Sequence, residues 1–152
     1  MIANESNSVD SKQKLKHQMQ PCPYSCVCTS LAILAGVPAE KVIDTYHQRY
    51  RDGGIKVRQI MVDLGLRFKT FDSLDGGDLF EPGAYLVTVP SLNFTGGNHQ
   101  IVIEVTEDDY RVIDPVMGRD GRRYYVKRGD VSSALEEELG GFTIDAYLHW
   151  KD

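Results

Sequence analysis

The chain has 152 residues, 41% of them apolar and 26% charged, which fits one globular domain and excludes a wholly disordered or collagen-like chain. Seventeen Lys and Arg stand against 22 Asp and Glu, a formal charge of -5, and that balance disfavours a general nucleic-acid binder. The 3 cysteines all lie between residues 22 and 28, which is no disulfide framework, so free thiols in a reducing compartment are expected.

Residues 1–17 are polar and lack apolar periodicity. They predict a flexible N-terminal arm ahead of a domain over residues 18–152, and no run of the chain is apolar enough to span a membrane. Without an apolar signal region the chain is expected to be cytoplasmic as synthesised; export by a dedicated system that lacks a cleaved signal peptide stays open. The segment Gln20-Pro21-Cys22-Pro23-Tyr24 cannot lie mid-helix, because its prolines remove donors and restrict their neighbours. Ser25 then serves as N-cap of a helix over 26–35 that is apolar on several sides and therefore buried. Gly36 ends it. Pro38 opens a second helix, from 39 to about 50, with Val42, Ile43 and Tyr46 inward. Asp52-Gly53-Gly54 breaks that helix, and a third follows over 57–64 with Gly65 at its end.

Strand patterns dominate from there. They fall at 66–71, 84–89, 100–105, 110–113, 124–126 and 142–150, with a tight turn at 107–109 making a hairpin. Residues 73–83 and 90–97 read as turn-rich connections. One more helix is expected over 131–139, capped by Asp130, with Glu136-Glu137-Glu138 as its solvated face. Helices first and mostly antiparallel strands afterwards is a segregated α+β pattern, not an alternating βαβ one.

Cys26 stands at the start of the first helix, where free amides and partial positive charge favour a thiolate. Cys22 lies in the loop before it, and Cys28 two residues further on a different face. A free cysteine is equally a small buried hydrophobe, so the position needs partners. A thiol nucleophile needs a base and a group to orient that base. Among the 4 histidines, His99 is distinctive: it follows Gly96-Gly97-Asn98 and opens the strong strand QIVIEV. His17 falls in the arm, His47 on a polar helix face, and His149 beside Trp150 near the C-terminus. Asp114 ends the second strand of the hairpin. A tip at 107–108 brings His99 and Asp114 opposite each other within a residue or so. Polar residues are also common at hairpin ends, so the pair alone has a bland reading.

The stretch from Gln20 to Leu34, QPCPYSCVCTSLAIL, resembles the start of C39-type peptidases, the papain-like domains that cleave leader peptides from bacteriocins. Gln20 matches the family's Gln, and Cys26 its nucleophile. Thr29, Ser30 and Leu31 match the residues that follow. Asn98-His99-Gln100-Ile101 is similar to the catalytic His strand, and Asp114-Pro115 to the Asp-Pro motif after it. Ser25 and Val27 stand where the family usually has Asp and Gly. The resemblance covers about residues 18–130 and implies a papain-like α+β fold and thiol-dependent hydrolysis of an amide or peptide bond. Cys26, His99 and Asp114 would form the triad, with Gln20 as oxyanion donor, and no metal or organic cofactor is implied. The same fold and residue order also occur in effectors and toxins that deamidate protein glutamine, and in non-catalytic peptide-binding modules. The partner is a peptide or protein substrate in each case; the oligomeric state is open.

The remaining patterns are weaker. Cys22, Cys26 and Cys28 lack the second pair a zinc site needs. A disulfide from Cys22 to Cys26 or Cys28 could act as a redox block. The paired glycines read as turns. Arg119, Arg122, Arg123, Lys127 and Arg128 read as a solvated face, or as a surface for an acidic partner or nucleic acid. Residues 72–83 and 90–97 are the expected walls of a substrate cleft.

Overall fold

The computed structural model describes residues 15–70 and 81–149. Helices come first and strands after, an α+β arrangement built on an antiparallel sheet. Helix α1 (Cys26–Ala35) buries every residue from Cys28 to Leu34, as its all-round apolar sequence requires. It ends on Gly36, left-handed at φ 71°, which lets the N–H groups of Gly36 and Val37 reach back to Ala32 O. The second helix consists of three joined pieces: α2 (Ala39–Val42), a π-helical stretch (Ile43–His47) and α3 (Gln48–Arg51). Inside it, Thr45 Oγ1 donates to Lys41 O at 2.8 Å, a local bond that competes with the regular ladder. Helix α4 (Val57–Asp63) follows, and Gly65 turns the chain away at φ 78°. No helix among the described residues is long and apolar enough to cross a membrane.

The strands are β1 (Gly83–Pro90), β2 (Asn98–Val105), β3 (Tyr110–Ile113), β4 (Tyr124–Val126), β5 (Glu136–Glu138) and β6 (Thr143–His149). Four of them form one sheet in the order β3-β2-β1-β6, with antiparallel neighbours throughout. Strand alternation gives this sheet two buried faces. Ala84, Leu86, Val102 and Ala146 pack on the helices. Tyr85, Val87, Ile101 and Ile103 pack on Tyr125 of β4 and on Leu139.

Two expected elements differ. The helix expected over 131–139 is instead the short strand β5, parallel to β4. Its glutamates face solvent, two exposed and one half-buried, and each accepts a hydrogen bond. Glu136 accepts from Tyr124 Oη at 2.8 Å, Glu137 from Arg123 at 2.6 Å, and Glu138 from the Gly129 N–H at 2.7 Å. Leu139 N–H bonds Val126 O and its side chain is buried, so tertiary pairing overrides the local helix preference. The strand expected over 66–71 reduces to one bridge between Lys69 and Tyr147, with Phe71 outside the described residues. The arm up to residue 14, the connection over 71–80 and Trp150 also lie outside them.

Residues 15–17, expected in the arm, lie against the sheet. Leu15 N–H donates to the buried Glu104 at 3.0 Å, Arg111 donates to Leu15 O, and His17 Nε2 donates to Asp114 O at 3.0 Å. Gln18 bridges Val37 O and Ala39 N–H, each at 2.7 Å, and Gln20 N–H bonds Pro115 O at 2.7 Å. The stretch 15–20 is therefore a strap from the β3 side of the sheet to the helices.

Candidate active site

Cys26 is the first residue of α1. Ser25 sits at the N-cap position, but its hydroxyl does not cap the helix; it donates to Cys22 O at 3.0 Å and steadies the loop. The side-chain cap expected of Ser25 is thus not made, and the first-turn amides beside Cys26 are left uncapped by any side chain. Such a helix start favours negative charge on a nearby sulfur. Ser30, one turn further, donates to Gln100 O at 3.1 Å and fixes α1 against β2.

His99 is the second residue of β2, opposite Val89 of β1. Asp114 directly follows β3. Val102 pairs with Ile113, so continuing that register puts Asp114 opposite Ile101, not opposite His99. His99 is two residues further along the same face, a diagonal neighbour. A slip of one residue would send the two side chains to opposite faces. The diagonal suffices: His99 Nε2–H donates to Asp114 Oδ1 at 2.6 Å.

Asp114 is 2% exposed and fully engaged. Its Oδ1 also accepts the Val116 N–H at 2.9 Å, and its Oδ2 accepts the Tyr125 N–H at 2.8 Å. With Nε2 committed to Asp114, Nδ1 is the His99 nitrogen left to serve Cys26, which lines the same cleft. Burial by itself would lower the imidazole pKa. The hydrogen bond and negative charge of Asp114, helped by the nearby Cys26 sulfur, outweigh it and raise the value from 6.5 to about 9. Cys28 behaves oppositely: burial, then the neighbouring Cys26 and Cys22 sulfurs, push its thiol up to about 11. It stays a neutral thiol in the core.

Gln20 is 1% exposed and lines the same cleft as Cys26 and His99. One N–H of its Nε2 donates to Cys22 O at 2.9 Å, which orients the amide and leaves a second N–H. Phe94, Asn98, Arg119 and Arg122 line this cleft as well, and its free space is about 30 Å³, room for one water. Phe94 stacks on Tyr24 with ring centroids 5.8 Å apart, joining the 91–97 loop to the Pro21–Ser25 loop. Arg51 lies over the other partner's ring, 4.7 Å from the Tyr24 centroid.

The four residues singled out by sequence thus come together, from a loop, a helix start, a strand start and a strand end. Sequence reasoning missed the backbone donors of Val116 and Tyr125, His17 on Asp114 O, and the Tyr24–Phe94 stack. Asp114-Pro115 signalled a turn there, and nothing local signals an aromatic stack across 70 residues of chain. The basic cluster is not one surface. Arg123 pairs Glu137 and Lys127 pairs Asp109, whereas Arg119 and Arg122 face the cleft. Among the described residues no three His, Cys, Asp or Glu side chains converge on a metal position. No family model, curated protein or solved structure matches the chain.

Proposed function

We propose that the chain is a papain-like, C39-like cysteine peptidase that hydrolyses an amide bond through Cys26, His99 and Asp114. One observation carries the reading: an imidazole bonded at Nε2 to a buried carboxylate lines one cleft with a cysteine at a helix start. Asp114 fixes the tautomer, so Nδ1 is the base. The Cys26 proton passes to Nδ1, and the thiolate attacks the carbonyl carbon of the amide. The second Gln20 N–H and the Cys26 backbone N–H meet the developing oxyanion. The C–N bond breaks as His99 protonates the leaving amine. Water, deprotonated by His99, then attacks the thioester and releases the acid, restoring the thiol. Removing the Gln20 donor is expected to cost roughly 10²–10³ in kcat.

The test is alkylation with iodoacetamide across pH, read by peptide mass spectrometry on wild type and His99→Ala. Cys26 reacts far faster than Cys22 and Cys28 near neutral pH, and the variant loses that advantage. Incubation with peptide mixtures then separates chain cleavage from ammonia release at glutamine. Equal reactivity of Cys22 and Cys26, unchanged in the variant, overturns the reading and leaves a peptide-binding module.

A further inference from the structure

Arg119 and Arg122 line the same cleft as Cys26, Gln20 and His99. Both are half-buried, and neither guanidinium has an ion-pair or hydrogen-bond partner among the described residues. Asp120 stands between them in sequence, is exposed and pairs with neither. Their basic neighbours Arg123 and Lys127 are both neutralised by carboxylates. The cleft lining itself holds no Asp or Glu. Two unpaired cations in a cleft lining that holds no carboxylate make its field positive, which favours an anion that arrives with a ligand.

The loop that carries them is built in advance. Met117 N–H bonds Asp114 O at 3.0 Å, Arg119 N–H bonds Val116 O at 3.0 Å, and Arg122 N–H bonds Arg119 O at 3.2 Å. Gly118 and Gly121 supply the left-handed turns at φ 98° and 70°. Asn93 clamps the far end, donating to Arg123 O at 2.9 Å and accepting Arg123 N–H at 3.0 Å. The loop therefore starts at Asp114, the residue that orients His99, and ends pinned to the 91–97 loop. Fixed backbone thus sets where the two arginine side chains leave the loop.

We infer that Arg119 and Arg122 form a carboxylate-binding subsite that selects substrates with a carboxylate next to the amide attacked. The planar guanidinium fork matches carboxylate geometry. The carboxylate is an Asp or Glu side chain or a free C-terminus of a peptide. This inference rests on Cys26 acting on amides, as proposed above.

Two probes of similar size test it: iodoacetate, which carries a carboxylate, and neutral iodoacetamide. The ratio of their rates at Cys26 is measured on wild type, Arg119→Gln/Arg122→Gln and Arg119→Lys/Arg122→Lys, with thermal melts to show each is folded. Losing two nearby positive charges in a water-like medium lowers the ratio on the order of fivefold. The Lys pair keeps most of it, and added salt shrinks the difference. In a second arm, the blocked tripeptides Ac-Ala-Glu-Ala-NH2, Ac-Ala-Gln-Ala-OH and Ac-Ala-Gln-Ala-NH2 compete with iodoacetamide in wild type. Protection by the first marks a side-chain carboxylate, by the second a chain terminus, and either is lost in the Gln pair. A rate ratio equal in wild type and the Gln pair overturns the subsite, as does equal protection by all three peptides. The ratio can be read at Cys26 whether or not His99 activates it, so loss of the hydrolytic reading shows separately, as equal iodoacetamide rates at Cys22 and Cys26 in wild type.

Discussion

His99 couples the site to stability through its proton. In the unfolded chain its pKa is 6.5 and in the folded chain it is raised to about 9, so the native state holds the proton more tightly. The contribution is complete below about pH 6.5 and is lost as pH rises through about 9. At roughly 1.4 kcal/mol per unit of difference the whole window is worth about 3 kcal/mol. Urea midpoints of wild type are expected to fall between pH 6.5 and 9, and those of His99→Gln to fall less; parallel profiles would show that another group sets the slope. The proposed amide hydrolysis should fail above about pH 9 for the same reason, since the leaving amine needs the imidazolium. Asp114→Asn tests which partner raises the value. It removes the negative charge while burial stays, so the His99 midpoint, followed by NMR, is expected to drop to 6.5 or below. A midpoint that stays near 9 would put the whole effect on Cys26.

At the scale of elements, Gly83 lets the edge strand β6 lie close against β1, the neighbour of β2. Gly83 begins β1 at φ 153°, and a Cβ there would run into Leu148 O and lie 2.5 Å from Tyr147 Cε1. Gly83→Ala must therefore push β6 off β1, and a loss of about 3 kcal/mol or more in urea unfolding is expected. Part of this architecture is legible in the residues. α1 follows from an apolar run between Ser25 and Gly36, and the β2–β3 hairpin from alternation on either side of an acidic turn. That hairpin carries His99 and Asp114 to one end, so alternation and turn alone bring the pair near each other. Its face was not legible, because a one-residue register difference decides it and strand pairing sets the register. Glu136-Glu137-Glu138 misleads for a related reason: its helix preference is local, and the donors that hold it as strand come from Arg123, Tyr124 and Gly129. The Tyr24–Phe94 stack is likewise a meeting of two loops. It narrows a cleft of about 30 Å³, so Phe94→Ala should speed reaction of Cys26 with a bulky maleimide several-fold relative to iodoacetamide. An unchanged ratio would mean that the stack does not gate entry.

Across the whole molecule, the site depends on a strap whose first three residues sequence polarity reads as arm. Residues 15–20 contribute Gln20 to the cleft and His17 to the Asp114 carbonyl, and they are anchored at their start by Glu104. Glu104 is 1% exposed in β2 and accepts Arg111 Nε at 3.0 Å from the facing position on β3. Its other oxygen takes the Leu15 N–H, and Arg111 reaches on to Leu15 O. One buried carboxylate thus joins the hairpin that carries His99 and Asp114 to the segment that carries Gln20. Glu104→Ala leaves Arg111 and the Leu15 amide without that acceptor, a loss of about 2–4 kcal/mol given that Arg111 is partly solvated. The strap should loosen before the sheet does, because its backbone bonds are few and it packs at the surface. Hydrogen exchange is therefore expected to speed at the Leu15 and Gln20 amides while β1 and β2 stay protected. The proposed hydrolysis should fall in kcat with the pH limb near 9 unmoved, since His99 and Asp114 keep each other. If exchange at Gln20 is unchanged while hydrolysis collapses, Glu104 acts on the hairpin itself and the strap is a bystander.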